Sequence, residues 1–349
     1  KKDEKDIDEY LTAESLMKDL KLYNEIYNKY KGVKTQEFEI ELSKMKYLLI
    51  LPYAFEPKSD TPRYRTDYEN LTIEEVNHLY ENRNKHQIVI FEEKTKNNAI
   101  IIEKLLKMES KVEKPFKMNN ERIILFDDEL NGIFLIYIYI SLICIFLNAS
   151  IFSESYQTGE DEHFRTSMYG KKYLGKIKIL VGILKGMFLF ITNIFVYLVI
   201  VLNGYGISIL NKPIQIALSP ILPYPLNVRE ILIIILLAGI CNLFYLLSFV
   251  FFISSTSKSV LFSLTAPVFC LMLNFLTSNW LKVKNNLLEV VLKLIPNVGN
   301  ALYKDLFMDY KFFTIGEKVI WSPYFIIISS IILGVIFLFL SGKSYKKHQ

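Results

Sequence analysis

Apolar positions in this chain fall into two patterns. From residue 130 onward they form five long unbroken runs: Leu130–Ser153, Ile177–Asn203, Ile231–Ser257, Val260–Leu281 and Val319–Gly342. Crossing a bilayer as a helix takes about 20 apolar residues, and each run is long enough. Four of them hold no charged residue, and the second holds only Lys178 and Lys185, near its start. Lys185 lies close enough to that end to snorkel its ammonium to the interface. A span must satisfy its backbone groups internally, and the alternation of barrel strands is absent, so the runs are read as helices. The fold class is an all-α polytopic membrane protein.

Residues 1–126 follow the second pattern and are read as a separate, mainly helical domain. Ile7, Tyr10, Leu11, Leu16, Leu20, Tyr23, Ile26, Tyr27 and Tyr30 recur near helical spacing, with Gly32 as a stop. Gln36–Leu51 is a second helix ended by Pro52, and Pro52–Asn70, with three prolines, is a loop. Thr72-Ile-Glu-Glu75 is a capping box and predicts a helix to about Lys85. A further helix is expected over Ile88–Glu109, with a short strand over Gln87–Phe91 as the alternative.

Two connections between spans differ in character. The stretch 204–230 holds Pro213, Pro220, Pro223 and Pro225 and should be irregular. The stretch 282–318 carries two apolar faces: Leu287, Leu288, Val290, Val291, Leu294 and Ile295, then Ala301, Leu302, Leu306 and Phe307. These predict short interfacial or re-entrant helices. Trp280 and Trp321 are read as interface anchors.

Charge gives the runs a direction. Residues 1–125 carry 23 Lys and Arg against 24 Asp and Glu, so the net +5 of the whole chain belongs to the membrane half. Arg165, Lys171, Lys172, Lys176, Lys258, Lys343, Lys346 and Lys347 lie in stretches that five spans place on one side. The positive-inside rule makes that side cytoplasmic, in contact with membrane lipid headgroups. Residues 1–126 then lie outside the cell, the C-terminus lies in the cytoplasm, and an outside N-terminal domain predicts a first transmembrane helix upstream of Lys1. Asp127-Asp128-Glu129 flanks a span rather than forming a metal site. Cys144, Cys241 and Cys270 all sit within apolar runs, where cysteine behaves as a small hydrophobe. No basic stripe with interleaved aromatics points to nucleic acid.

The polar segment between the first two runs carries the candidate chemistry. It reads Phe152, Glu154, Gly159, Glu160, Thr166-Ser167, Lys171-Lys172 and Lys176 in order. This order resembles the intracellular coupling segment of ABC-2 type ABC transporter permeases, with two departures: Met168-Tyr169-Gly170 stands where the family often has Pro, and Lys where it often has Arg. The resemblance extends to the large domain before the second helix of a six-helix permease, the very short turn at Ser254–Ser259, and the elements before the last span.

The resemblance implies a permease subunit of an ATP-driven exporter from a Gram-positive bacterium. Glu154, Gly159, Glu160, Thr166, Ser167, Lys171, Lys172 and Lys176 would form its contact with a separate ABC ATPase. ATP and magnesium would be bound by that partner. A second permease subunit, identical or related, would complete the pathway for a peptide, bacteriocin or amphiphilic compound. The chain has no G-x-x-x-x-G-K-[ST] phosphate loop, which fits a separate ATPase. H-E-x-x-H and G-x-S-x-G are also absent, and none of His78, His86, His163 and His348 lies in an apolar run. The chain is therefore expected to be no enzyme and to carry no cofactor. An immunity or sensor membrane protein that binds a ligand outside without transport is the alternative.

Overall fold

The computed structural model describes residues 10–30, 35–42, 71–117, 127–167, 170–279, 294–295, 302, 304–315 and 318–347. The chain divides into two compact units. Unit 1 comprises Lys1–Asp127 with Gly206–Ile231, and unit 2 comprises Asp128–Tyr205 with Leu232–Gln349.

Unit 1 opens with α1 (Ala13–Lys29), whose N-cap Thr12 accepts from the Ser15 amide while the Ser15 hydroxyl accepts from the Thr12 amide. This reciprocal cap satisfies two orphan amides and fixes the start of the helix at Ala13; Ile7 lies outside the described residues. After α2 (Gln36–Leu42), the predicted capping box opens α3 (Ile73–Asn77): Thr72 Oγ1 accepts from Glu75 N at 3.2 Å and Glu75 Oε2 from Thr72 N at 2.9 Å. The rest of the expected helix to Leu51 and the expected loop Pro52–Asn70 lie outside the described residues.

The helix from the capping box does not run on to Lys85. It breaks at His78, and α4 (Leu79–Thr95) follows, then α5 (Ala99–Glu109). The boundary lies at Lys96 and Asn97, both left-handed, where Asn98 caps α5 through Ile101 N. The expected break near Gln87 is therefore displaced, and Gln87–Phe91 is helix. Leu79, Arg83, Gln87 and Phe91 recur every fourth residue and line the buried face of α4, so a helical ridge, not a strand, accounts for the run.

That ridge carries a buried ionic node. Arg83, fully buried, donates from Nη1 to Glu109 Oε1 at 2.6 Å and from Nε to the Pro220 carbonyl at 2.6 Å. Gln87 Nε2 donates to Glu109 Oε2 at 3.1 Å and to the Ile221 carbonyl at 2.7 Å. Lys114 Nζ reaches Glu109 Oε1 at 3.0 Å. The proline-rich stretch is thus drawn into unit 1, where its buried carbonyls find donors. It is also partly regular, with a 3-10 turn at Ile207–Asn211 and α10 (Ile214–Ala217), numbered after the unit 2 helices below. Gln215 Nε2 closes it internally on the Leu222 and Tyr224 carbonyls at 3.0 and 2.7 Å. Ile216 joins Leu11, Leu16, Leu20, Val76, Leu79, Val112 and Phe116 in one apolar core.

Unit 2 is built on long apolar helices: α6 (Asp127–Asn148), α9 (Gly175–Tyr205), α11 (Val228–Thr256), α12 (Val260–Asn279) and α13 (Ser322–Lys347). The short α7 (Ser153–Thr158) and α8 (Glu160–Thr166) lie between the first two. Among the described residues, four helical stretches are long and apolar enough to cross a membrane: Glu129–Thr158, Gly175–Tyr205, Val228–Thr256 and Ser322–Lys347. The fourth expected span is also helical, over Val260–Asn279, with Pro267 inside it. α9 leaves Leu184, Phe188, Ile191, Phe195 and Ile200 between 56% and 70% exposed. An apolar surface of that extent belongs against lipid. Its polar Thr192 and Asn193 donate back to the Phe188 and Leu189 carbonyls, satisfying themselves on their own helix. The architecture is that of an all-α, multi-pass membrane protein.

Two expectations for the last connection change. The last helix starts at Ser322, not Val319, because Phe312–Ile315 (β1) and Lys318–Trp321 (β2) pair as an antiparallel hairpin. Pro323 then sits in the first turn, where its missing N–H is harmless. Leu302 and Leu306 are buried, but the described helix there is one π-helical turn, Lys304–Met308. It is held by Ser322 Oγ donating to the buried Asp305 at 2.8 Å. Trp321 stands in β2 and is 6% exposed, so it is packed rather than placed as an interface anchor. The first apolar face lies outside the described residues except Leu294 and Ile295, which form a turn, and Trp280 also lies outside them. At the head of α6, Glu129 is engaged by two tyrosines of α9: Tyr205 donates to its carboxylate, and Tyr197 to its carbonyl at 3.0 Å.

Candidate functional site

The polar segment folds as a chain of short turns, because its sequence cannot sustain one helix. α6 ends at Asn148, whose side chain donates back to the Cys144 carbonyl at 2.8 Å. α7 ends at Gly159, which adopts φ 77°, the left-handed conformation that glycine takes without penalty. A Cβ there would meet nothing within 4 Å, so the glycine is needed for its backbone and not for space. Glu160, Asp161 and Glu162 form the first turn of α8, where carboxylates complement the partial positive charge of the helix start. A π-helical turn, Gly170–Leu174, then leads into α9, with Ser167 Oγ accepting from Gly170 N at 3.0 Å.

The underside of the segment is tied to three other helix ends. Ser254 Oγ, near the end of α11, accepts from the amides of Phe152 and Ser153 at 3.1 and 3.2 Å. Lys178, in the first turn of α9, donates to the Ile151 carbonyl at 2.9 Å and to Ser155 Oγ at 2.7 Å. Its ammonium also lies 5.7 Å from the centre of the Phe152 ring. Phe152 is fully buried and packs on Tyr345 of α13 at 5.2 Å. A Cβ on Gly175 would lie 2.6 Å from the Tyr345 ring, so only glycine allows this close approach. α13 is bonded in turn to α11, Ser341 Oγ donating to the Phe251 carbonyl at 3.2 Å and Ser344 Oγ to the Ser255 carbonyl at 3.0 Å. The three basic stretches that the charge pattern groups together are joined at one end of unit 2.

The upper face is different. Glu154, Glu160, Thr166, Ser167 and Lys176 are all exposed, while Phe152, Ser153, Ser155 and Asp161 are buried. Thr166 Oγ1 is occupied by the His163 carbonyl at 2.7 Å. Gly159 separates α7 from α8, and Lys171 and Lys172 lie in the π-helical turn. The candidate residues are thus gathered on one connected segment. Among the described residues Glu154 forms no ion pair with a neighbouring lysine, and it is exposed. The carboxylates of Asp161, Glu160 and Glu154 instead act electrostatically on Lys178.

Sequence reasoning missed the anchors. Lys178 reads as a lysine at the start of a span, and Ser254, Ser341, Ser344 and Tyr345 read as ordinary end residues. The only available signal was the cluster of serines at Ser254-Ser255 in an otherwise apolar run, since a hydroxyl there needs a partner. Among the described residues, no group of three or more His, Cys, Asp and Glu is placed to hold a metal ion. No family model, curated protein or solved structure matches this chain.

Proposed function

We propose that this chain is the permease subunit of an ATP-driven exporter, and that the segment 154–176 is the platform on which a separate ABC ATPase docks. The observation that supports this reading is the two-sided build of the segment. Its underside is locked to the ends of α9, α11 and α13, and its upper face exposes Glu154, Glu160, Thr166, Ser167 and Lys176. A push on such a platform moves several membrane helices at once, whereas an unanchored loop would absorb it. The basic residues at this end favour the cytoplasmic side, where ATP is available. Residues 1–126 then lie outside the cell. ATP and magnesium belong to the partner, and a second permease subunit completes the pathway. The size of the outer domain favours, by analogy, a peptide, bacteriocin or other amphiphile as cargo over a small ion.

Copurification tests the proposal. Tagged chain, expressed with the ATP-binding protein encoded beside it, should retain that ATPase. Deleting 154–176 should abolish the complex, and Glu154→Lys with Glu160→Lys should weaken it while the protein stays monodisperse. An ATPase that remains bound after the deletion would overturn the docking assignment.

A further inference from the structure

α9 carries two lysines seven residues apart, Lys178 and Lys185, a spacing that puts them on one stripe of the helix about two turns from each other. The protein treats them differently. Lys178 is met by the Ile151 carbonyl at 2.9 Å and by Ser155 Oγ at 2.7 Å. Lys185 is exposed, and among the described residues it makes no hydrogen bond or ion pair. It acts electrostatically on Cys144, which supplies no carboxylate. Val181, Leu184 and Phe188 around it are 55%, 59% and 70% exposed. An ammonium therefore stands on the lipid-facing side of an apolar helix.

Packing sets its depth. A Cβ on Gly182 would lie 2.7 Å from Asn148 Oδ1, so the last residue of α6 is level with Gly182. Lys185 stands three residues further into the span, roughly 4–5 Å at 1.5 Å per residue. A helical side chain leans toward the N-terminus of its helix, and a lysine stem is long enough to return the ammonium to the level where α6 ends. Acyl chains offer no acceptor there. None of the five apolar runs holds an Asp or Glu, so a second copy packed along α9 brings no carboxylate from its spans. The oxygens of a headgroup phosphate do supply the missing charge. Phosphatidylcholine carries its own cation beside the phosphate and an anionic headgroup does not, so the anionic lipid gains more from the lysine.

We infer that Lys185 marks a seat for one anionic phospholipid on the lipid-facing side of α9. The phosphate pairs with the ammonium, and an acyl chain lies along Phe188 and Phe195. The inference rests on the membrane helices alone and does not require the exporter reading or an ATPase partner.

The test titrates the purified full chain in a neutral detergent with phosphatidylglycerol or phosphatidylcholine, and native mass spectrometry resolves each lipid bound. The first phosphatidylglycerol should bind about fivefold more tightly than the first phosphatidylcholine, the factor that one lysine near an anionic surface supplies. Lys185→Gln and the lipid-matched Lys185→Leu should each remove that margin without changing phosphatidylcholine binding, and Lys185→Arg should keep it. Lys343→Gln, at an exposed lysine near the end of α13, should leave the first binding event unchanged. Inorganic phosphate in large excess should displace no lipid. Equal affinity for the two lipids, a margin that survives Lys185→Gln and Lys185→Leu, an equal loss in Lys343→Gln, or displacement by inorganic phosphate overturns the inference. So does a disulfide-linked dimer that Lys185→Cys forms in oxidised membranes and the unmodified chain does not, because a second copy then covers this face.

Discussion

Ser254→Ala is the sharpest perturbation of the platform. Its hydroxyl oxygen accepts from both Phe152 N and Ser153 N, and it is fully buried. Neither amide makes another hydrogen bond among the described residues, so the substitution leaves two donors unsatisfied. Each unsatisfied buried donor costs about 1–3 kcal/mol. The neighbouring Glu154 is exposed, so water reaches part of the opened turn, and the lower half of the summed range applies. A cost of about 3 kcal/mol raises the local opening equilibrium roughly 150-fold, at about 1.4 kcal/mol per tenfold. Hydrogen exchange resolved at single amides measures this directly, because protection at these two positions reports opening of the α6–α7 turn. Ser257→Ala, at an intermediate-burial position in the next turn, is the control. The same variant should also weaken copurification of the ATPase, because its docking face is no longer held. Unchanged exchange at Phe152 and Ser153 would refute the claim that α11 anchors the segment.

Three other outcomes are expected. Gly159→Ala should destabilise the α7–α8 turn by about 1–2 kcal/mol and Gly159→Asn by less, because the position is left-handed and not crowded; local exchange rates measure the difference. Glu109→Leu should cost unit 1 about 3–5 kcal/mol by leaving the buried Arg83 without its carboxylate, and Arg83→Met in the same chain should recover most of that; protease resistance of unit 1 gives the coupling, and additive effects would contradict it. Burial pushes the Tyr80 phenol up from 10.0 to about 12, against a smaller opposing effect of its hydrogen bond with Phe116 N. A raised folded-state value means that its contribution is fully present below pH 10 and lost as pH rises through about 12. Alkaline titration of unit 1 should show that loss, and Tyr80→Phe should remove it.

The sequence by itself determined what one-dimensional periodicity and local caps can carry. Long apolar runs must become helices in a membrane, and their lengths marked α6, α9, α11, α12 and α13. Thr72 and Glu75 fixed a helix start because both partners of the cap lie within one turn. The polar segment stood out because charges between two apolar helices have to lie at a membrane surface. Tertiary structure decided whatever depends on residues far apart in the chain. Arg83 and Gln87 look like surface residues of an amphipathic helix until Glu109 and the carbonyls of Pro220 and Ile221, more than a hundred residues on, arrive to satisfy them. Those same bonds bring the proline-rich stretch 206–231 into unit 1. Ser254, Lys178 and Tyr345 become anchors only when the ends of α11, α9 and α13 meet beneath Phe152. The hairpin ahead of Ser322 is legible only from the pairing of Phe312–Ile315 with Lys318–Trp321. The division has one physical cause: helix propensity and membrane burial act on neighbours in sequence, whereas a buried hydrogen bond rewards whichever distant group the packing delivers.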